Sequence, residues 1–468
     1  MWSKGRSRAE TPLVVAAWPG RKLAGAERAF FTISQVSPLN LVVLIRLAGP
    51  ASGELFAQAL AAMQERHPLL RARIAGRPSR PRFEVRTEAA GEPGPIPLRL
   101  LTSAEAPDTD HARAVVEEEL NTPFDTARGP LARAALIAGD GQEHDLVLTM
   151  HHSIADGRSA ASLVDDLLGW CVGGAADTAA APPAQALPPR PVTAILPARM
   201  RGLRGRRRTV AYLARQSRDE IGYRRASRAV LRPVPAPGRA RAALAVLDRD
   251  ATTSLVDRAR RSRLTLTSLL AAALLRQAST VLYHGRPAAM RVVTWVDLRR
   301  HLDPAVPDEV LGCYASMLRF VVRVDPREEF AAFVARVQGE LARAARRGDR
   351  IPAALLSPAL ARMLTRWPVA RLGTVAVSYA TAPAIRRSYG PIAVREVRAF
   401  VTNLRLGADM AAVSGVFGGA LWCDLLYLDT DVREEQADAM CAGLMSELGE
   451  FGVAAPGSAG APCGAGGP

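Results

Sequence analysis

Aromatic residues, lysine and closely spaced cysteines are scarce in this sequence. The shortages of aromatic residues and of paired cysteines each argue against particular kinds of core or site. Aromatic residues make up 5% of it, so leucine, valine and alanine must fill most of the core of a chain that is 49% hydrophobic. The five cysteines are an odd number without a Cys-x-x-Cys pair, which argues against a zinc ribbon and against a disulfide framework. We therefore expect a globular protein of a reducing, cytoplasmic compartment, without a metal site.

Long uninterrupted apolar runs are also missing. The apolar run at residues 13–18 is too short for the core of a signal peptide. Residues 264–283 are interrupted by Arg276 and fall short of the ~20 apolar residues that a membrane span needs. This second stretch therefore predicts a buried core helix, and we expect no membrane span.

Positive charge is abundant but confined to one part of the chain. The formal net charge is +16, and fourteen arginines lie between Arg199 and Arg241 beside only two acidic residues. A basic segment of this kind does not predict a nucleic-acid-binding domain. It is consistent with a solvated surface helix, or with docking of an acidic partner such as the phosphates of CoA or an acyl carrier protein.

Hydrophobic periodicity divides the chain into two α+β halves. We expect an N-terminal lobe over residues 1–172, a Pro/Ala-rich linker with the start of the basic segment over 173–209, a C-terminal lobe over 210–452 and a disordered tail over 453–468. The first lobe is predicted to contain helices at 53–66, 110–120 and 159–170, and strands at 41–47, 69–74, 131–138 and 144–150. An Asp140-Gly141 pair between the last two strands predicts a hairpin. The second lobe is predicted to contain helices at 252–261, 266–282, 328–346 and 432–451, and strands at 292–296, 316–324, 374–378 and 413–417.

The clearest chemical signal is the segment His151-His152-Ser153-Ile154-Ala155-Asp156-Gly157, at a strand-to-helix corner. Neighbouring side chains of an extended chain point to opposite faces, so the two histidines cannot easily share a metal ion. Glycine after Asp156 predicts a sharp turn, because glycine adopts backbone angles that other residues avoid. Ser159 is placed to support the start of the helix. A histidine held in a cleft at such a corner, with an unperturbed pKa of ~6.5, is suited to accept a proton.

Four stretches, in order along the chain, resemble the motifs of one superfamily. Residues 66–71 are similar to its RHPxLR motif, residues 123–133 to PFDxxxGPLxR, residues 151–157 to HHxxxDG and residues 296–304 to VDLRxxLxP. The sequence thereby resembles the condensation-domain and CoA-dependent acyltransferase superfamily. Within it, the VDLRxxLxP form is most similar to the free-standing polyketide-associated acyltransferases of the phthiocerol dimycocerosyl transferase type.

The resemblance implies an α+β fold of two chloramphenicol-acetyltransferase-like lobes, a pseudo-dimer with an active-site tunnel between them. It implies that His152 is the catalytic base, which deprotonates the acceptor and returns the proton to the leaving thiol. His151 would be structural and would point away from the tunnel.

The same resemblance implies roles for residues around the base. Asp156 would form an ion pair with Arg299 that holds the corner, and Gly157 would permit the turn. The family's second lobe carries a loop near the oxyanion, where this chain has Ser378 as a possible oxyanion or substrate contact and Asn403 as a weaker candidate.

The function implied is acyl transfer from a CoA or acyl-carrier-protein thioester to a hydroxyl acceptor, in lipid or polyketide natural-product biosynthesis. The thioester would be a co-substrate, with no other cofactor, and the enzyme would be a stand-alone monomer acting on a small-molecule alcohol or amine. Two alternatives stay open: an amide-forming condensation enzyme of the nonribosomal-peptide type, and a non-catalytic recruitment relative. The intact motif at residues 151–157 counts against the last.

Overall fold

A computed structural model describes most of the chain. The described residues are 20–85, 94–102, 109–139, 142–173, 188–227, 232, 234–368, 371–380, 385–402 and 405–453. Asn403, the turn residues Asp140 and Gly141, residues 174–187 of the expected linker and residues 454–468 of the expected tail lie outside them.

Several of the helices begin at a polar residue whose side chain caps them. In chain order they are α1 (Ala26–Ser34), α2 (Gly53–Arg66), α3 (Thr109–Asn121), α4 (Gly157–Gly173), α5 (Gly202–Ala226), α6 (Arg249–Arg261), α7 (Leu266–Leu282), α8 (Phe330–Arg346), α9 (Arg350–Arg366) and α10 (Glu434–Val453). The side chains of Ser52 and Thr265 accept backbone N–H groups at the starts of α2 and α7, whose predicted bounds are confirmed. Within the described residues, no single helix is long and apolar enough to cross a membrane; only α6 and α7 together pass on length and composition, and they meet at a bend of 108°.

The strands form three sheets. In chain order they are β1 (Arg21–Lys22), β2 (Asn40–Ala48), β3 (Ala72–Ala75), β4 (Arg82–Val85), β5 (Leu98–Thr102), β6 (Ala132–Ala138), β7 (Glu143–His151), β8 (Ala240–Ala243), β9 (Val246–Leu247), β10 (Ala288–Asp297), β11 (Ala315–Val324), β12 (Gly373–Ala380), β13 (Ser388–Tyr389), β14 (Ile392–Val401), β15 (Ala408–Phe417) and β16 (Ala420–Leu428). A small sheet has the order β1-β4-β3. The other two sheets are larger, and each packs against a hydrophobic core.

The first large sheet has the order β13-β14-β2-β7-β6-β5. Its β6–β7 pair is the predicted hairpin, with Ala138 opposite His144. Strands β13 and β14 belong to residues that the sequence placed in the C-terminal lobe, yet β14 pairs with β2 along nearly its whole length. The alternation of apolar and polar residues is not visible in β14, because a charged residue, Arg398, faces inward. Its ion pair with the buried Asp424 of β16 is 2.5 Å long.

The second large sheet has the order β11-β10-β12-β15-β16-β8, with β9 also paired to β16. Its central pairs, β10 with β12 and β12 with β15, are parallel, and the others are antiparallel. Helices α7, α8 and α10 pack on this sheet around one hydrophobic core. A further core joins the two large sheets, since Val42 and Phe400 of the first pack with Val413 and Trp422 of the second.

The predicted elements differ from the structure at several points. Residues 69–74 were expected to form a strand, but Pro68–Arg71 is a 3-10 turn and the strand β3 begins only at Ala72. Helix α9 was missed because Pro358 lies inside it. The hydroxyl of Ser357 donates to the carbonyl of Ala354 at 2.8 Å, which replaces the N–H that Pro358 lacks. The expected boundary at residue 209 lies within α5.

Two of the matched motifs hold the first lobe together. At the end of α2 the buried His67 lies with its Nε2 3.0 Å from Asp166 of α4. Arg133 at the start of β6 forms an ion pair of 2.5 Å with Glu119 of α3, and its guanidinium lies 4.2 Å from the ring centre of Phe124. The ring centre of Phe124 in turn lies 6.0 Å from that of His151, so this motif packs against the corner that carries His152.

Candidate active site

The segment 151–157 connects the end of β7 to the start of α4. The backbone N–H of His152 donates to Leu39 O at 3.0 Å, and that of Ile154 donates to His151 O at 3.0 Å, so the chain turns tightly after the strand. Asp156 then caps α4, because its Oδ1 accepts the backbone N–H of Ser159 at 3.0 Å. The corner predicted from the sequence is present.

His152 is held as a neutral base. Its Nδ1 lies 2.8 Å from the carbonyl oxygen of Ala155, which can only accept, so Nδ1 carries the proton and Nε2 the lone pair. The side chain is 8% exposed, and its ring centre is 4.4 Å from that of Phe30. Burial lowers the pKa of His152, against the opposing effects of the Ala155 carbonyl and of Asp156. The imidazole is therefore uncharged at neutral pH.

His151 has a different environment. Its Nδ1 is 2.7 Å from the hydroxyl of Ser153 and accepts the backbone N–H of the same residue at 3.2 Å. Burial, together with the neighbouring His152, lowers the pKa of His151 to about 3. The ring is buried and is not part of the cleft wall described below.

The structure brings Asp156 and Arg299 together. Arg299, at 0% exposure, donates from Nη1 to Asp156 Oδ2 at 2.6 Å, and the backbone N–H of Tyr314 donates to the same oxygen at 2.8 Å. Burial acts to raise the pKa of Asp156, but the charge and hydrogen bond of Arg299, aided by the backbone N–H groups, outweigh it, so that the pKa lies below its ordinary value. Asp156 is thus an ionised carboxylate with both oxygens occupied.

Ser159 has a role that the sequence did not reveal. Its backbone N–H donates to Asp156 in the helix cap. Its hydroxyl donates to Gly312 O at 2.8 Å and accepts the N–H of Gly312 at 3.0 Å. Arg299 Nη2 also donates to this hydroxyl at 2.8 Å. The start of α4 is therefore bound to the loop before β11, more than a hundred residues further along the chain.

An apolar cleft opens in front of the corner. It encloses about 910 Å³ of space, including its part open to solvent, and His152 and Ser378 both lie on its wall. The wall is otherwise built mainly of small and aliphatic side chains from both large sheets: Leu41, Val293, Leu372, Ala376, Ala380, Ala399, Val401, Ala408, Ala411, Ala412 and Val413. Such a lining favours apolar ligand groups. The other candidate contact, Asn403, lies outside the described residues.

The turn at Gly157 does not need the conformational freedom of glycine, contrary to expectation. Gly157 is the first residue of α4 and does not adopt a positive φ. A Cβ built at this position would meet no atom within 4 Å, and Gly157 lies on the cleft wall. The absence of a side chain therefore leaves space in the cleft, close to His152.

Phe30 and Trp295 also belong to the site, and neither was predicted from the sequence. Their ring centres are 5.8 Å apart, and Phe30 packs on the imidazole of His152. Both rings line a second apolar cavity of about 430 Å³ between α1, α9 and β11, and Trp295 lines the main cleft as well. Side chains alternate along β10, so Trp295 lies on the same face as Asp297 of the matched motif and could have been found from it. Nothing in the sequence marks Phe30 as a site residue.

No metal centre is formed by the described residues, among which no cluster of three or more histidine, cysteine or acidic side chains is suitably arranged. What the corner offers is a neutral imidazole lone pair on the wall of an apolar cleft. Such a group can take a proton from a hydroxyl or amine that lies within hydrogen-bond distance, about 2.6–3.2 Å.

Two family profiles match the chain. The condensation domain matches residues 34–185, and the phthiocerol/phthiodiolone dimycocerosyl transferase C-terminus matches residues 236–384. Among curated proteins, phosphinothricin tripeptide synthetase PhsC of Streptomyces viridochromogenes is 27% identical over 346 residues, which are 70% of this chain and 30% of that protein. The chain spans less than a third of the length of the curated relatives that it matches.

Solved structures share the fold over nearly the whole chain. Polyketide synthase associated protein 5 from Mycobacterium tuberculosis superimposes with a TM-score of 0.65 at 17% identity, covering 93% of this chain and 99% of that one. The TRI3 trichothecene 15-O-acetyltransferase from Fusarium sporotrichioides gives 0.70 at 14% identity, covering 94% and 100%. The expected two-lobed, chloramphenicol-acetyltransferase-like α+β fold is thereby confirmed. The two family matches, one in each half, place the chain in the condensation-domain and CoA-dependent acyltransferase superfamily.

Proposed function

We propose that this chain transfers an acyl group from a CoA or acyl-carrier-protein thioester to a hydroxyl group, forming an ester. The observation that carries the proposal is the neutral His152 on the wall of the apolar cleft, with Nδ1 committed to the Ala155 carbonyl at 2.8 Å and Nε2 left as the base. The thioester is a co-substrate, and the proposal includes no other cofactor.

The proposed reaction needs one proton carrier. Nε2 of His152 takes the hydroxyl proton as the acceptor oxygen attacks the thioester carbonyl and a carbon–oxygen bond forms. The carbon–sulfur bond then breaks, and the leaving thiolate takes the proton back from Nε2. The Ala155 carbonyl, as acceptor of the Nδ1 hydrogen bond, stabilises the imidazolium that exists between these steps. We assign Ser378, on the same cleft wall, as a donor to the oxyanion or as a substrate contact.

Ester formation is supported by the match of residues 236–384 to the C-terminal family of the dimycocerosyl transferases. Amide formation by a condensation enzyme is the second candidate, because the condensation-domain match and the likeness to PhsC over 70% of this chain favour it. Both reactions use the same base, and they differ in whether the cleft accepts an oxygen or a nitrogen nucleophile. A role in lipid or polyketide natural-product biosynthesis, as a cytoplasmic monomer, is part of the first proposal.

The experiment is a mass-spectrometric screen of the purified protein. Acyl-CoAs and acyl carrier proteins of graded chain length are offered with acceptor pairs that differ only in a hydroxyl or an amine. Transfer to the alcohol but not to the matched amine supports ester formation, and the reverse result supports the condensation alternative. Transfer to neither acceptor, from any donor, leaves the recruitment alternative in place.

Two single variants then test the base. His152→Ala is expected to keep its melting temperature within a few degrees and to lose about 10²–10⁴-fold in turnover, the usual loss of general-base help. His151→Ala is the matched control, because its buried ring lies off the cleft and its loss should lower stability or expression. Near wild-type turnover of His152→Ala would show that the proposed mechanism is wrong.

A further inference from the structure

Helix α5 is attached to the body of the protein along a single face. Of its 25 residues only Gly205, Tyr212 and Tyr223 are buried. These positions are 7 and 11 residues apart, and at about 100° per residue they fall within about 20° of one line along the helix. Arg215 adds an ion pair of 2.5 Å to Asp349 at the start of α9.

The opposite face of α5 is apolar and exposed. Leu203, Val210 and Ile221 are 71%, 66% and 53% exposed, respectively. They have the same spacing of 7 and 11 residues, so they too lie within about 20° of one line, which is about 160° away from the buried one. This line extends over eighteen residues, or about 27 Å at ~1.5 Å per residue. We name these three side chains the α5 stripe.

Arginines border the α5 stripe on both sides. By helical geometry Arg206 and Arg224 lie about 60° to one side of it, and Arg207 and Arg225 about 40° to the other. Arg224 forms an ion pair of 2.7 Å with Glu220. The other three have no carboxylate within 4.0 Å among the described residues, so their charge is available to a partner.

An apolar line bordered by cations is the pattern of a helix that lies in a membrane–water interface. The apolar side chains enter the acyl-chain boundary while the arginines contact lipid phosphates at the same depth. A protein interface gathers its apolar anchors near the centre, whereas these side chains extend along about 27 Å of the helix with cations on both sides. We propose that α5 binds this protein peripherally to the surface of an anionic lipid bilayer. This inference is independent of the proposed acyl transfer.

The test is co-sedimentation of the full chain with vesicles. One set is phosphatidylcholine alone, and in the other about one third of the lipid is phosphatidylglycerol, at low and at physiological salt. We expect binding to the anionic vesicles only, weaker at higher salt. Two triple variants, Leu203→Gln/Val210→Gln/Ile221→Gln and Arg206→Gln/Arg207→Gln/Arg225→Gln, should each reduce binding by about tenfold or more.

A matched control separates the stripe from a general loss of surface hydrophobicity. Val246→Gln removes a valine that is 48% exposed on β9 and should leave vesicle binding unchanged. All variants alter exposed side chains, so unchanged thermal melts should accompany the result. Wild-type protein that stays in solution with anionic vesicles, or a stripe variant that binds as well as wild type, overturns the proposal. So does an arginine variant whose only defect is a raised KM for the thioester donor, which would identify an acidic protein or CoA as the partner.

Discussion

Replacing Asp156 with asparagine tests whether charge holds the corner that carries His152. The two oxygens of Asp156 accept three hydrogen bonds: Ser159 N at 3.0 Å on Oδ1, and Arg299 Nη1 at 2.6 Å with Tyr314 N at 2.8 Å on Oδ2. Asparagine has the same shape but only one acceptor oxygen. It can therefore keep the helix cap or the contacts to Arg299 and Tyr314, and must lose the other.

The size of the effect follows from the burial of Arg299. Breaking a buried ion pair by removing one partner costs about 3–5 kcal/mol. Asp297 Oδ1 lies 3.4 Å from Arg299 Nη1 and is partly exposed, so it can compensate in part and places the loss near the lower end of that range. At roughly 2–4 °C per kcal/mol for a lobe of this size, the melting temperature should fall by about 6–12 °C.

Calorimetry of Asp156→Asn, beside its rate of acyl transfer, is the measurement. The double variant Asp156→Asn/Arg299→Met should recover part of the loss, because it leaves no buried charge unpaired. Asp308→Asn is the control: its ion pair with Arg158, at 2.8 Å, is partly exposed, and it should cost no more than about 1 kcal/mol. An unchanged melting temperature together with abolished transfer would refute the reasoning and assign the carboxylate a direct part in the chemistry.

The cleft can be tested in three ways. Gly157→Ala places a methyl group in open space on a helical residue, so we expect an unchanged or slightly higher melting temperature with a raised KM; a lower melting temperature would contradict this. Ala376→Phe fills part of the cleft wall and should reduce kcat/KM at least tenfold without loss of fold, as checked by circular dichroism. Because burial lowers the pKa of His152, the acidic limb of kcat/KM should have its midpoint below the ordinary ~6.5, and a midpoint above that value would exclude a buried neutral base.

Local signals were sufficient for much of the fold. The bounds of α2 and α7 were predicted correctly, since each combines a polar cap with a continuous helical pattern. Strand β14 was not predicted and pairs across the lobes with β2, some 350 residues earlier. No local window contains that partner strand, and the inward-facing Arg398, paired with Asp424 of β16, interrupts the apolar pattern of β14.

The site residues also divide into those that a local motif marks and those that depend on tertiary packing. His152 and Asp156 lie in one short motif, and Arg299 in another, so motif likeness was enough to name all three. Phe30 was missed because its contact with His152 joins positions far apart in the sequence and depends on how α1 packs. The open space at Gly157 is likewise a property of the assembled cleft and not of the turn.

The corner that carries His152 is a joint product of both lobes. Asp156 and Ser159 belong to the first, and Asp156 Oδ1 caps α4 within it. The partners of Asp156 Oδ2 and of the Ser159 hydroxyl, however, are Arg299, Gly312 and Tyr314 of the second. Without the second lobe, Asp156 Oδ2 and the Ser159 hydroxyl would lose these partners to water, and the corner would lose the contacts that hold it. The position of the base is therefore coupled to the association of the lobes. Any opening of the cleft to admit substrates must take place away from this contact, because opening at Arg299 would displace the base itself.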